Sequence, residues 1–174
     1  DPKQRFGQIV ADHLKLPVTF LTGAGTSIDW AADQILRADI KSGDTVIWGL
    51  TGAGRFAYLD EKNYLHNVMV ENFDGVYGLS RFIKKEFLVS NHMIYKAVSS
   101  IEQVANYLNK LSCKFVLATL PLNSPEHDLK ILDYTSALNY AIMLFEDYNF
   151  VDYGTDNIHP GIKQHEIYAE KILT

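Results

Sequence analysis

One cysteine, Cys113, stands in 174 residues, so the chain forms no disulfide with itself. It lacks an apolar run of the ~18 residues that a membrane span requires, and no signal-peptide pattern opens it. Its first residue is Asp1 rather than Met, so the true start stays open. Long basic runs are missing as well. With 16 Lys and Arg against 21 Asp and Glu the net charge is -5, which argues against a surface that tracks phosphates and hence against a nucleic acid partner. No group of Cys and His has metal-ligand spacing, His165 standing only six after His159. We therefore expect no metal and no cofactor, and a cytoplasmic location. What is present is 47% hydrophobic and 21% charged residue. That composition suits one compact domain, residues 1–174, burying roughly 70% of the surface its unfolded chain exposes.

Strand-like and helix-like segments alternate without a low-complexity linker. Residues 3–14 put Phe6, Ile9, Val10 and Leu14 at helical spacing, and after Pro17 the run VTFL reads as a buried strand. Ser27 is a natural N-cap for a helix through IDWAADQILRADI, with Ile28, Ala31, Ala32, Ile35 and Leu36 on one face. The apolar run TVIWGL predicts a central parallel strand covered on both sides. Residues 55–91 mix aromatic and charged residues without period and are expected to form an irregular or partly helical insertion or lid. Within it Phe56, Tyr58, Tyr64, Phe73 and Tyr77 suit a substrate pocket, a small core or an oligomer contact equally. A long helix over 92–111, a strand KFVLATL, a helix DYTSALNYAIMLFED, a short strand NFVDY and a closing helix QHEIYAEKIL complete the chain. This order predicts an α/β fold with a flavodoxin-like, doubly wound parallel sheet between two helix layers.

The sequence LTGAG occurs at 21–25 and again at 50–54, each time where an apolar run ends. Glycines at strand carboxyl ends let backbone N–H groups approach a ligand in the crevice of an open parallel sheet. The first copy suggests dinucleotide binding, but Ile28 stands where the third fingerprint glycine belongs. Asp44, about 20 residues on, precedes the next strand instead of ending it.

The other chemical feature is Asp156-Asn157-Ile158-His159-Pro160. A carboxylate three residues before a histidine can hold the imidazole in the tautomer that general-base work needs. In the plainer reading Asp156 caps a turn and His159 packs at the mouth of the last helix.

D-x-x-H-P before a helix carrying His165 and Ala169 resembles the closing motif of the SGNH (GDSL-type) hydrolases. The resemblance implies that His159 is the general base and Asp156 its orienting acid. It makes Gly25 in GAGTS the glycine whose N–H faces the oxyanion, and it puts Thr51, in Gly49-Leu50-Thr51-Gly52, where the family has an oxyanion asparagine. The stretch WGLTGAGRF is similar to a divergent, phage-associated branch of the family. A threonine hydroxyl donates a hydrogen bond with shorter reach than an asparagine amide.

The family's nucleophilic serine lies in a G-D-S motif after the first strand, and neither stands ahead of the first helix here. The resemblance therefore implies a domain without its N-terminal strand, hydrolysing a small-molecule or carbohydrate ester, an acyl or acetyl group on a carbohydrate or lipid, with a serine from outside these residues. Two alternatives stay open: a non-catalytic binding or structural module of the same fold, and a nucleotide-binding protein using the GAG turns. The oligomeric state is not readable from the sequence.

Overall fold

The computed structural model describes residues 5–23, 26–52, 55–59, 61–62, 65–69, 91–119, 130–131, 133–135, 138–143, 150–155 and 159–174. Their architecture is mixed α/β. Helix α1 spans Phe6–Leu14 and α2 spans Ile28–Arg37. Strands β1 (Thr45–Leu50), β2 (Arg55–Leu59) and β3 (Leu65–Met69) follow, then the long α3 (Asn91–Lys110) and β4 (Lys114–Thr119). Helical residues at 130–131 and 133–135 lead to β5 (Ala141–Met143), and α4 (Ile162–Leu173) closes the chain.

The capping chemistry explains two of the helix ends. At the start of α2, Ser27 is fully buried and its hydroxyl oxygen accepts the N–H of Trp30 at 3.3 Å. That bond satisfies one of the donors a helix N-terminus leaves open. Helix α1 stops at Lys15, whose φ of 56° is left-handed and whose N–H turns back to the carbonyls of Ala11 and Asp12.

The larger sheet is parallel, in the order β1-β4-β5. Its register sets Thr45 beside Lys114 and Leu50 beside Thr119, with Leu117 beside Ala141 on the other side. The N–H of Lys114 donates to Asp44 at 2.8 Å. By the alternation of a parallel ladder, the peptide groups of Val46 and Trp48 then face β4, and those of Thr45, Ile47 and Gly49 face away from it.

Side chains alternate across the sheet in the same way. Trp48, Leu50 and Leu117 join the main core with Ile28, Ala32 and Ile35 of α2 and Ala97, Ile101, Val104 and Leu108 of α3. Residues of the opposite parity, Ile47 and Ala118, cluster instead with Tyr168 and Ile172 of α4 and Phe6 of α1. Lys96 on α3 reaches Asp29 in the first turn of α2 at 2.6 Å, a partly exposed ion pair beside the main core.

Five expectations are corrected. The run VTFL lies in a segment without regular secondary structure, and Val18 and Leu21 are exposed. An apolar β-branched run becomes a strand only where a neighbour supplies hydrogen bonds, and none of the described residues does so here. The helix expected through DYTSALNYAIMLFED gives way to a turn at 138–140 and then β5, because the ladder with β4 overrides the helix propensity of Ala, Met and Leu. The segment NFVDY is not a strand of the sheet: only Tyr153 pairs, in an isolated antiparallel bridge to Pro160. The insertion begins as a regular antiparallel hairpin, with Arg55 opposite Met69 and Leu59 opposite Leu65. Of its aromatic residues, Tyr64, Phe73 and Tyr77 lie outside the described residues, and Phe56 and Tyr58 enter only through the backbone of β2. Also, β1, expected at the centre, is an edge of the sheet as described.

Candidate functional site

Three places carry the residues singled out by sequence. The first is the carboxyl end of β1. Leu50 is buried in the core and Thr51 follows it, half-buried, as the chain leaves the sheet. The guanidinium of Arg55, at the start of β2, donates to the Thr51 hydroxyl oxygen at 2.9 Å. Because that oxygen accepts, its own proton is left to point elsewhere, and the bond to a cation polarises it.

The second place is the N-terminus of α2. Gly25, the expected oxyanion glycine, lies outside the described residues. Ser27 is committed to capping, as its position predicts, and so is a helix cap rather than a spare nucleophile.

The third is the loop into α4. His159 is exposed on it, and Asp156 lies outside the described residues. The loop is closed on itself by a main-chain bond from the N–H of Gly154 to the carbonyl of His159 at 2.8 Å, and by the Tyr153–Pro160 bridge. Its ends are tied to the helix it feeds. Gly161 occupies the N-cap position and has no side chain to cap with. Asp152 does that work from across the loop, one carboxylate oxygen accepting the N–H of Gln164 at 2.8 Å and the other that of Lys163 at 3.1 Å. Gln164, only 5% exposed, answers by accepting the N–H of Val151 at 2.8 Å. The pair reproduces a capping box split between two segments. A negative group is also favourable at the positive end of the helix dipole.

Beneath this loop His165 stacks on Phe6 at 6.0 Å and meets Tyr168 edge-on at 5.7 Å. Its Nδ1 is buried without a hydrogen-bond partner. Burial and the positive charge of Arg5 push the His165 imidazole below its usual pKa, with Asp152 pulling weakly the other way. Burial pushes the Tyr168 phenol well above its ordinary range. His165 is thus a neutral packing residue between α1 and α4.

Of the expected site residues, Thr51 and His159 are described and each stands on a segment leaving or entering a regular element. Thr51 is joined to Arg55, which the sequence reading did not single out. Asp152 and Gln164 were also missed. The one sequence signal for them is a glycine at the N-cap, which implies that a cap must come from elsewhere. Cys113 is half-buried and its thiol donates to the carbonyl of Lys41 at 3.2 Å. Among the described residues no group of three or more His, Cys, Asp or Glu could hold a metal ion. No described helix is long and apolar enough to cross a membrane.

No family model, no curated protein and no solved structure matches the chain.

Proposed function

We propose that the chain is an SGNH-type hydrolase domain of flavodoxin-like, three-layer architecture that cleaves an ester, an acyl or acetyl group carried by a carbohydrate or lipid. The observation that carries the reading is the direction of β1: it ends at Leu50, so Thr51 follows at the carboxyl edge of a parallel sheet, the edge at which open α/β sheets bind ligands. An exposed His159, on a loop fastened to the last helix, supports it as the base.

In this reading His159 takes the proton of a serine hydroxyl, whose oxygen attacks the ester carbonyl. Asp156 holds the imidazole in the tautomer that accepts that proton. The tetrahedral oxyanion is met by the Gly25 N–H and the Thr51 O–H, the latter polarised by Arg55. The alcohol leaves with the proton from His159, and water releases the acyl-enzyme by the same route in reverse. In this reading the serine is supplied by residues other than Asp1–Thr174, in which no G-D-S motif occurs.

The test is hydrolysis of p-nitrophenyl acetate by the complete reading frame, with and without His159→Ala. A loss of rate in the variant, together with fluorophosphonate labelling of one serine, is expected. Equal rates in the two proteins would remove His159 from the chemistry.

A further inference from the structure

We propose that Asp152, four residues ahead of Asp156 and outside the expected acid-base pair, is the positioning residue that holds His159 in place. The proposal deepens the hydrolase reading and rests on it for the meaning of His159, though not for its geometry.

Several described side chains of the loop are exposed. Val151 is 62% exposed and Tyr153 49%, and His159 and Ile162 are exposed too. One aromatic contact, Phe150 edge-on to Tyr153 at 5.3 Å, lies on the outgoing limb. Exposed side chains contribute little burial to fixing a segment, and polar bonds between the described residues do so at the base of this one. Those bonds converge on Asp152. Its carboxylate accepts from Lys163 and Gln164, its own carbonyl accepts the N–H of Gly161 at 3.0 Å, and Gln164 in turn holds Val151. Residues 151–154 and 159–161 are therefore pinned to each other and to the first turn of α4. His159 rides on the returning limb, two residues from the pin, with its carbonyl tied to Gly154.

The glycine at 161 gives the same conclusion independently. A Cβ there would overlap the Asp152 carboxylate and come within 2.8 Å of the Tyr153 carbonyl. The second atom is backbone and cannot swing aside, so the clamp and a side chain at 161 exclude each other. The body of α4 does not depend on this clamp. Tyr168 and Ala169 are buried against the rest of the molecule at 0% and 1% exposure, so releasing the loop leaves the helix docked.

The experiment compares Asp152→Ala, Asp152→Asn and Gly161→Ala in the complete protein. The first readout is the imidazole Cε1–Hε1 resonance of His159, assigned by its loss in His159→Gln. The second is kcat and KM for p-nitrophenyl acetate. Asp152→Ala and Gly161→Ala are expected to move and sharpen the His159 resonance while far-UV circular dichroism stays unchanged. In both, kcat falls on the order of 10²-fold with KM unchanged, the cost of a misplaced reacting group. Asp152→Asn keeps an acceptor oxygen for the α4 amides and restores the resonance and most of the rate. An unmoved His159 resonance in folded Asp152→Ala, or in folded Gly161→Ala should the first variant not fold, overturns the proposal. A moved resonance in a protein that hydrolyses no ester upholds the positioning and sinks the hydrolase reading instead.

Discussion

The Arg55 guanidinium donates to the hydroxyl oxygen of Thr51 at 2.9 Å, joining the start of the β2–β3 hairpin to the residue that follows β1. If Thr51 donates to an oxyanion, removing its hydroxyl costs on the order of 10²-fold in kcat, with KM little changed. Thr51→Val is the isosteric test, and Thr51→Ser, which keeps the donor, is expected to retain most of the rate. Steady-state kinetics on p-nitrophenyl acetate decide it; a Thr51→Val enzyme as fast as the parent takes Thr51 out of the oxyanion site.

His165 gives the acid limb of stability a specific source. Its folded pKa lies below the ordinary value of 6.5, so the unfolded chain takes up the proton first as pH falls. The stability contributed by the neutral imidazole is complete above 6.5 and is lost as pH falls below it toward the folded value. His165→Phe keeps an aromatic ring against Phe6 and removes both the titration and the unpartnered Nδ1. Urea unfolding at pH 7 and pH 5 is expected to show parent stability falling more than that of the variant. At pH 7 the variant gains ~1 kcal/mol from losing an unsatisfied buried atom.

Tyr134 does the converse at high pH. Its hydroxyl donates to Glu102 at 2.6 Å, tying the residues before β5 to α3. Burial first, and then the Glu102 carboxylate, push its pKa up to about 12. The stabilising contribution is therefore complete below the unfolded value of 10 and disappears as pH rises through about 12. Tyrosinate absorbance of the parent minus Tyr134→Phe isolates this one ring among 10 tyrosines. A difference titration centred near the unfolded value means that the bond to Glu102 does not form in solution.

The centre of the α2–α3–sheet core should be the costliest place to remove atoms. Leu108 and Ile101 are both at 0% exposure in the cluster that joins α2, α3, β1 and β4. Leu108→Ala is expected to lower unfolding free energy by about 2–5 kcal/mol. Urea titration reads it directly, and a loss below ~1 kcal/mol indicates that the site is not close-packed.

These cores were legible in the sequence where one periodicity was unopposed. Ile28, Ala32 and Ile35 on α2, with Ser27 ahead of them, form a helix whose cap and apolar stripe agree. Ala97, Ile101, Val104 and Leu108 mark the buried stripe of α3 as cleanly. The reading failed where structure depends on partners far away in the chain. The run AIM forms a strand because β4 lies beside it, and VTFL does not because no described neighbour does. In the candidate site, His159 was singled out through its D-x-x-H-P motif and Thr51 through the resemblance of Gly49-Leu50-Thr51-Gly52 to the family's oxyanion motif. Asp152 was not, since it caps a helix ten residues downstream and no local spacing rule covers that distance.

The alternation of peptide groups along β1 also makes it a strand of two temperaments. Its side chains are largely sealed in, Trp48 at 4% and Leu50 at 1% exposure. Yet among the described residues only β4 bonds to it. Deuterium should accordingly enter this strand in a comb: quickly at the amides of Ile47 and Gly49, slowly at those of Val46, Trp48 and Leu50. By its side chains part of the core, β1 keeps every second amide, among the described residues, facing away from its partner β4.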